Sequence, residues 1–111
     1  MAGKFELKKN DRGKFMFNLK AGNGRVILTS QLYRAKANAQ EGIESVRKHA
    51  ADQANFERRT SVKGEPYFVL KAANNEIIGT SEMYTSTSAV ATGIASVQAH
   101  APGAAVADLT P

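Results

Sequence analysis

Hydrophobic and polar positions alternate along residues 14–20, KFMFNLK, with Phe15, Phe17 and Leu19 on one side and Met16, Asn18 and Lys20 on the other. A period of two belongs to a strand with one face buried and one in water. PYFVLK at 66–71 repeats the pattern and opens on Pro66, which a strand tolerates at its first residue. RVILT (25–29) and EIIGT (76–80) read as the following strands. Asn23-Gly24 predicts a two-residue hairpin turn between strands, because both positions tolerate positive φ, and Asn74-Asn75 keeps much of that tolerance. FELKK (5–9) and FERRT (56–60) come first in order, turning at Gly13 and Gly64. Beyond Tyr33 the period becomes 3.6. Ala39, Ile43, Val46 and Ala50, and again Val90, Ile94, Val97 and Ala101, form stripes that lay one helix on the sheet in each half.

The halves are copies. Residue 5 laid over residue 56 aligns the remainder without a gap, matching Phe5 with Phe56, Glu6 with Glu57, Phe17 with Phe68, Gly42 with Gly93 and His49 with His100. Two such units are too few for a stacked solenoid, so a single domain (1–111) with an internal pseudo-twofold is expected, repeat one covering about 4–54 and repeat two about 55–111. TSQLY (29–33) and TSEMY (80–84) mark the corner from strand to helix. Tyr33 and Tyr84 are expected to pack their rings under the helix starts, with Met83 adding apolar bulk. Ser86 or its neighbours can cap the second helix. The first has only Arg34 to Ala37 there, which predicts a start looser by ~1 kcal/mol. Gly42 and Gly93 each weaken a helix by roughly 1 kcal/mol relative to alanine. Close backbone packing accounts for them, and a ligand needing bare backbone is the alternative. Ala104–Ala107 reads as a last short strand. Its counterpart is the linker AADQANFERRT, so residues 54–60 are expected both to finish copy one and to begin copy two.

The doubled F-E, L-K-A-x-N, I-G-T-S-E-M-Y, G-I-x-S-V and closing A-D-L-T resembles the YegP-like family, small bacterial proteins of one or two such repeats. The resemblance implies an α+β fold with three strands, a helix and a strand per repeat, assembled into one antiparallel sheet with two helices on one face and exchanged C-terminal strands. It implies no known function and carries no catalytic or binding residues. Copy one departs most from the pattern, with Arg25, Leu28 and Arg34 where copy two has Glu76, Gly79 and Thr85.

At 111 residues and 42% hydrophobic, the chain is long enough to bury roughly two-thirds of its unfolded surface in one core. With no cysteine, disulfides, thiolate metal sites and cysteine nucleophiles are excluded, which suits a reducing compartment. The opening residues lack the apolar run of a secretory signal, and no stretch reaches the length of a membrane span, so the cytoplasm and no membrane partner are expected. The net charge of +5 is unevenly held. Residues 1–53 carry eleven Lys and Arg against five Asp and Glu, and residues 54–111 four against five.

Candidate chemistry is sparse. Ser45 with His49 and Ser96 with His100 stand i, i+4 on their helices, in reach as nucleophile and base. No acid recurs in both copies to orient either imidazole, and a cation favoured at the helix C-terminus is the simpler account. No third ligand makes a metal site and no cofactor is implied. Glu6 and Glu57 are the carboxylates paired by the repeat, with Lys8 and Arg59 two residues on, so cross-strand ion pairs are simpler than an acid–base pair. Lys4, Lys8, Met16, Lys20, Arg59, Tyr67 and Lys71 fall on the face turned from the helices. A basic sheet face bearing an aromatic can bind a polyanion, and the alternative is a solvated face with lysines blunting its edges. The expectation is a non-catalytic module engaging nucleic acid or an acidic protein. The alternatives are a self-associating, strand-exchanging homodimer and, last, a small enzyme.

Overall fold

The computed structural model of the protein describes residues 3–111; Met1 and Ala2, counted above with the single domain, lie outside it. The order is β1 (Lys4–Lys9), β2 (Phe15–Lys20), β3 (Val26–Thr29), α1 (Lys36–His49), a 3-10 turn (Gln53–Asn55), β4 (Phe56–Thr60), β5 (Pro66–Lys71), β6 (Ile77–Thr80), α2 (Thr87–His100) and β7 (Ala105–Asp108). The strands form one sheet in the order β4-β5-β6-β3-β2-β1-β7. Exchanging β1 with β4, β2 with β5 and β3 with β6 reverses the first six positions, so the pseudo-twofold passes through the Thr29–Thr80 pair that joins the halves.

Those six strands are antiparallel, while β7 runs parallel to β1 and makes the sheet mixed at that end. The last strand of the second repeat thus closes the edge of the first. The converse does not occur. Residues fifty-one positions before β7, Ala54–Glu57, already lie in the 3-10 turn and β4. Residues 54–60 therefore only begin copy two, because a strand cannot pair with itself.

One core joins both repeats. Phe5, Phe17, Leu19, Leu28, Phe68 and Leu70 from the sheet meet Ile43, Val46, Val90, Ile94 and Val97 from the helices, all of them buried. Burial of this many large apolar side chains, at ~1.5–3 kcal/mol each, is the main driving term for the fold. Ser86 accepts from Ala89 N–H at 3.1 Å and caps α2, whereas Ala35 offers α1 no side-chain cap, as the sequence predicts.

The β2–β3 and β5–β6 turns differ from expectation. Gly24 N–H donates to Ala21 C=O at 2.9 Å, and in each of these two turns one residue is left-handed, Gly24 (φ 84°) or its counterpart Asn75 (φ 70°). A turn with both central residues at positive φ is thus replaced by a four-residue turn, Ala21–Gly24, ending on one left-handed residue, with a register shift beside Leu19 and Lys20. That geometry needs the special residue once, so Asn23 adopts ordinary φ and its side chain accepts from Arg25 N–H instead.

Candidate functional site

The alternation of β1, β2, β4 and β5 sends Lys4, Lys8, Met16, Lys20, Arg59, Tyr67 and Lys71 to the face away from the helices. The cross-strand pairs are Lys4 with Lys20, Lys8 with Met16 and Arg59 with Tyr67. The cations gather round the two repeat-paired carboxylates. Glu6 lies 3.3 Å from Lys4, 3.6 Å from Lys8 and 3.1 Å from Lys20; Glu57 pairs with Arg59 and, at 2.9 Å, with Lys71. Hydrogen bonds, from Lys20 above all on Glu6 and from Lys71 on Glu57, hold both carboxyls below the ordinary glutamate range. Glu6 is itself buried beneath the lysine stems, beside a buried Asn18 whose amide donates to Thr29 at 2.9 Å. Each half of the face is a carboxylate wrapped by cations, of which Lys4 is exposed and Lys8, Lys20, Arg59 and Lys71 are half-buried. Asn18 and Thr29, polar groups near the seam, carried no sequence signal beyond their place in the alternation.

The TSxxY corner is a packing device. Ser30 Oγ accepts from Phe17 N–H at 2.9 Å and donates to Gln31 C=O, and Ser81 Oγ does the same for Phe68 and Glu82. A side chain thus completes the ladder where the strand leaves the sheet, which is why both serines are buried. Tyr33 stacks on Phe17 with centroids 6.4 Å apart, and Tyr84 on Phe68 at 6.3 Å. Each phenol oxygen lies against the helix glycine, Gly42 or Gly93, where a Cβ would collide with it. Close packing explains the glycines. Burial pushes both phenols up in pKa. Met83 departs from expectation: it is exposed on the corner's outer side, because the space beneath the helix is filled by the tyrosine.

The histidines are also structural in these contacts, in a way the sequence did not suggest. His49 Nδ1 donates to Ser45 C=O at 2.8 Å, and its Nε2 accepts from Ala73 N–H at 3.1 Å in the other repeat's hairpin. His100 repeats this with Ser96 C=O at 2.8 Å and Gly22 N–H at 3.3 Å. An imidazole that accepts an amide N–H at Nε2 is neutral, so the cation expected at the helix C-terminus is replaced by a neutral inter-repeat bridge. The serine hydroxyls sit 3.1 and 3.2 Å from Nδ1, the nitrogen already engaged as a donor, so neither ring has a nitrogen free to act as base.

An open groove of about 510 Å³ runs between α2, the TSEMY corner and the β2–β3 hairpin, with Tyr84, Gly93 and Ser96 in its wall. Arg25 from one repeat reaches Glu82 from the other across it at 3.1 Å. The repeat counterparts of that pair are Glu76 and Gln31, so the bridge exists on one side only. Among the described residues no cluster of three or more His, Asp or Glu is placed to hold a metal ion, and no helix is long and apolar enough to cross a membrane.

The family model described as "Domain of unknown function (DUF1508)" matches the chain twice, over residues 10–57 and 61–108. The chain belongs to the DUF1508 family. Its family unit starts at the turn before β2 or β5 and runs through the helix to residue 57 or 108, which spaces the two matches by the fifty-one residues of the repeat. Similar proteins are themselves uncharacterised. UPF0339 protein YegP of Escherichia coli (strain K12) is 49% identical over 110 residues, 99% of this chain and 100% of its own. UPF0339 protein MS1092 of Mannheimia succiniciproducens is 51% identical over 108 residues, 97% of this chain and 96% of its own. The solution structure of E. coli yegP, a protein of unknown function, superposes with a TM-score of 0.94 at 49% identity, covering 99% of this chain and 95% of that one. That of UPF0339 protein SO3888 from Shewanella oneidensis gives 0.93 at 48%, covering 99% and 93%. The family's fold is therefore this chain's fold, and the family brings no assigned activity.

Proposed function

We propose that the protein is a non-catalytic binding module whose outer sheet face engages a polyanion, single-stranded nucleic acid being the form that best fits it. The supporting observation is the charge of that face. Lys4, Lys8, Lys20, Arg59 and Lys71 stand against Glu6 and Glu57, a surplus of three positive charges on one side of a rigid sheet. Phosphates would take the cations and a base would stack on Tyr67. The engaged nitrogens of both histidines favour a non-catalytic reading. The cytoplasm, where such a ligand is abundant, suits a cysteine-free chain.

The test is an amide-shift titration of the labelled protein with a single-stranded oligonucleotide. Shifts should gather on Lys8, Met16, Lys20 and Tyr67. If about three phosphates are neutralised, log K falls with log salt at a slope of about −2, or roughly twentyfold between about 50 and 200 mM. Absent, scattered or salt-insensitive binding would overturn the proposal. A second reading, self-association, draws on the way β7 crosses to the other repeat: the same pairing made between two chains gives a strand-exchanged dimer. A strict monomer in sedimentation at high concentration would dismiss it.

A further inference from the structure

The repeat makes the two edges of the six-stranded core equivalent, but they are not equally covered. Along β1, β7 runs parallel with Lys4 opposite Ala105 and Leu7 opposite Asp108, and Leu109 N–H donates to Leu7 C=O at 2.8 Å. Helix α1 fastens this strand: Lys36 Nζ lies 2.5 Å from Asp108, and Arg47 donates to Ala104 C=O. Along β4 no further strand follows among the described residues, since those that would supply it are spent on β4 itself.

A hollow remains where the end of that strand would sit. It measures about 120 Å³ and is lined by Arg58, Thr60, Pro66, Thr87 and Val90, with Arg59 and Tyr67 at its border. Their repeat counterparts are Leu7, Lys9, Phe15, Lys36 and Ala39, among which Leu7 and Lys36 are the residues that hold Asp108. Leu7 is fully buried, whereas Arg58 is exposed and makes no ion pair among the described residues. The cation has changed places. In the first repeat it is on the helix, Lys36; in the second, the helix has Thr87 and the strand has Arg58. Gln98, at the place of Arg47, is turned away to Ala50 C=O at 3.0 Å.

We propose that β4 takes an extended acidic segment of a partner protein as an added parallel strand, with a carboxylate of that segment meeting Arg58. The free edge provides main-chain hydrogen bonds, the hollow receives the side chain, and the guanidinium selects an acid. Antiparallel pairing of two β4 edges centred on Arg58 would set the two Arg58 guanidiniums opposite each other, which strands disfavour. This edge borders the lysine-rich face at Arg59 and Tyr67, but Arg58 projects to the other side of the sheet from them, so a strand added there meets a different set of side chains.

The probe is the acetylated peptide AAVADLT, the sequence of residues 104–110, added at millimolar concentration to the labelled full chain. Amide shifts are expected on residues 56–60 and 87–90, with slowed hydrogen exchange along β4. Arg58→Glu should weaken binding about tenfold or more, and the peptide carrying lysine in place of its aspartate should bind that variant better than the parent. No shifts, shifts on residues 4–9 with release of β7, equal binding by parent and Arg58→Glu, or concentration-dependent shifts at 56–60 without peptide would each overturn the proposal.

Discussion

The phenol oxygen of Tyr33 lies 2.6 Å from the point where a Cβ on Gly42 would stand, and the ring carbon that bears it lies at 3.0 Å. The tyrosine cannot easily yield, because its backbone exchanges hydrogen bonds with Phe15 and its ring stacks on Phe17. Tyr84 holds Gly93 in the same way.

Alanine at either glycine should therefore destabilise the protein despite its better helix propensity. Overpacking at ~1–3 kcal/mol outweighs the ~1 kcal/mol gained from the helix. The expected net loss in chemical denaturation is up to ~2 kcal/mol, partly restored when Tyr33→Phe accompanies Gly42→Ala. Gly103→Ala, with nothing near its added Cβ, is the control and should change little. Equal effects at 42, 93 and 103 would dismiss the packing account.

This pair also marks where the sequence stops being legible. The alternation of KFMFNLK, the 3.6-residue stripes and the fifty-one-residue echo are local, and they deliver the strands, the helices and the symmetry. The link between Tyr33 and Gly42 spans a corner: close packing at the glycine was readable from its cost to the helix, but not that the tyrosine ring is what packs there. Ser30 looks like any turn serine until the strand it completes is in place. His49 sits at a helix end, where the dipole argument predicts a cation, and only the neighbouring hairpin reveals that Nε2 has an N–H to accept. The candidate face was readable because alternation fixes sidedness. Arg58 was not, because its meaning depends on a strand present beside Leu7 and missing beside β4.

In the bridged geometry both histidines should donate from Nδ1 and accept at Nε2, read from side-chain nitrogen shifts. Replacement of His49 or His100 by alanine removes one inter-repeat hydrogen bond and leaves Ala73 or Gly22 N–H to water, an expected loss of ~1 kcal/mol each. The double variant should lose about the sum, since the bridges lie at separate hairpins. Nitrogen shifts that place the proton on Nε2 would rule out the bridge.

Acid should loosen β7 before the core. Lys36, with help from Thr110, lowers the Asp108 carboxyl to about 2 from 3.8. A depressed folded-state value means stabilisation that is present above the unfolded pKa and lost as pH falls through the folded one. Glu6 and Glu57, also depressed, act in the same sense below about 4.5. Hydrogen exchange between pH 4 and 2 should therefore accelerate first along β7, and Lys36→Ala should move the Asp108 titration up towards 3.8. An unmoved titration in that variant would contradict the assigned cause.

Glu6 offers the sharpest test of the charged face. It anchors Lys4, Lys8 and Lys20, and it also cancels one of their charges on the face proposed to meet phosphates. Glu6→Gln keeps a hydrogen-bond acceptor of nearly the same shape and releases that charge. The face then gains one net positive charge without a new cation. Polyanion affinity should rise, and its log–log salt slope should steepen by up to about 0.7. Lys20→Glu reverses a charge at the same carboxylate and should weaken binding strongly. If the lysines serve only to neutralise a buried glutamate, Glu6→Gln should leave oligonucleotide binding unchanged and reduce only stability, since three ammonium groups would then crowd without their counter-charge. The two accounts thus predict different outcomes from one substitution, read by titration and denaturation on the same sample.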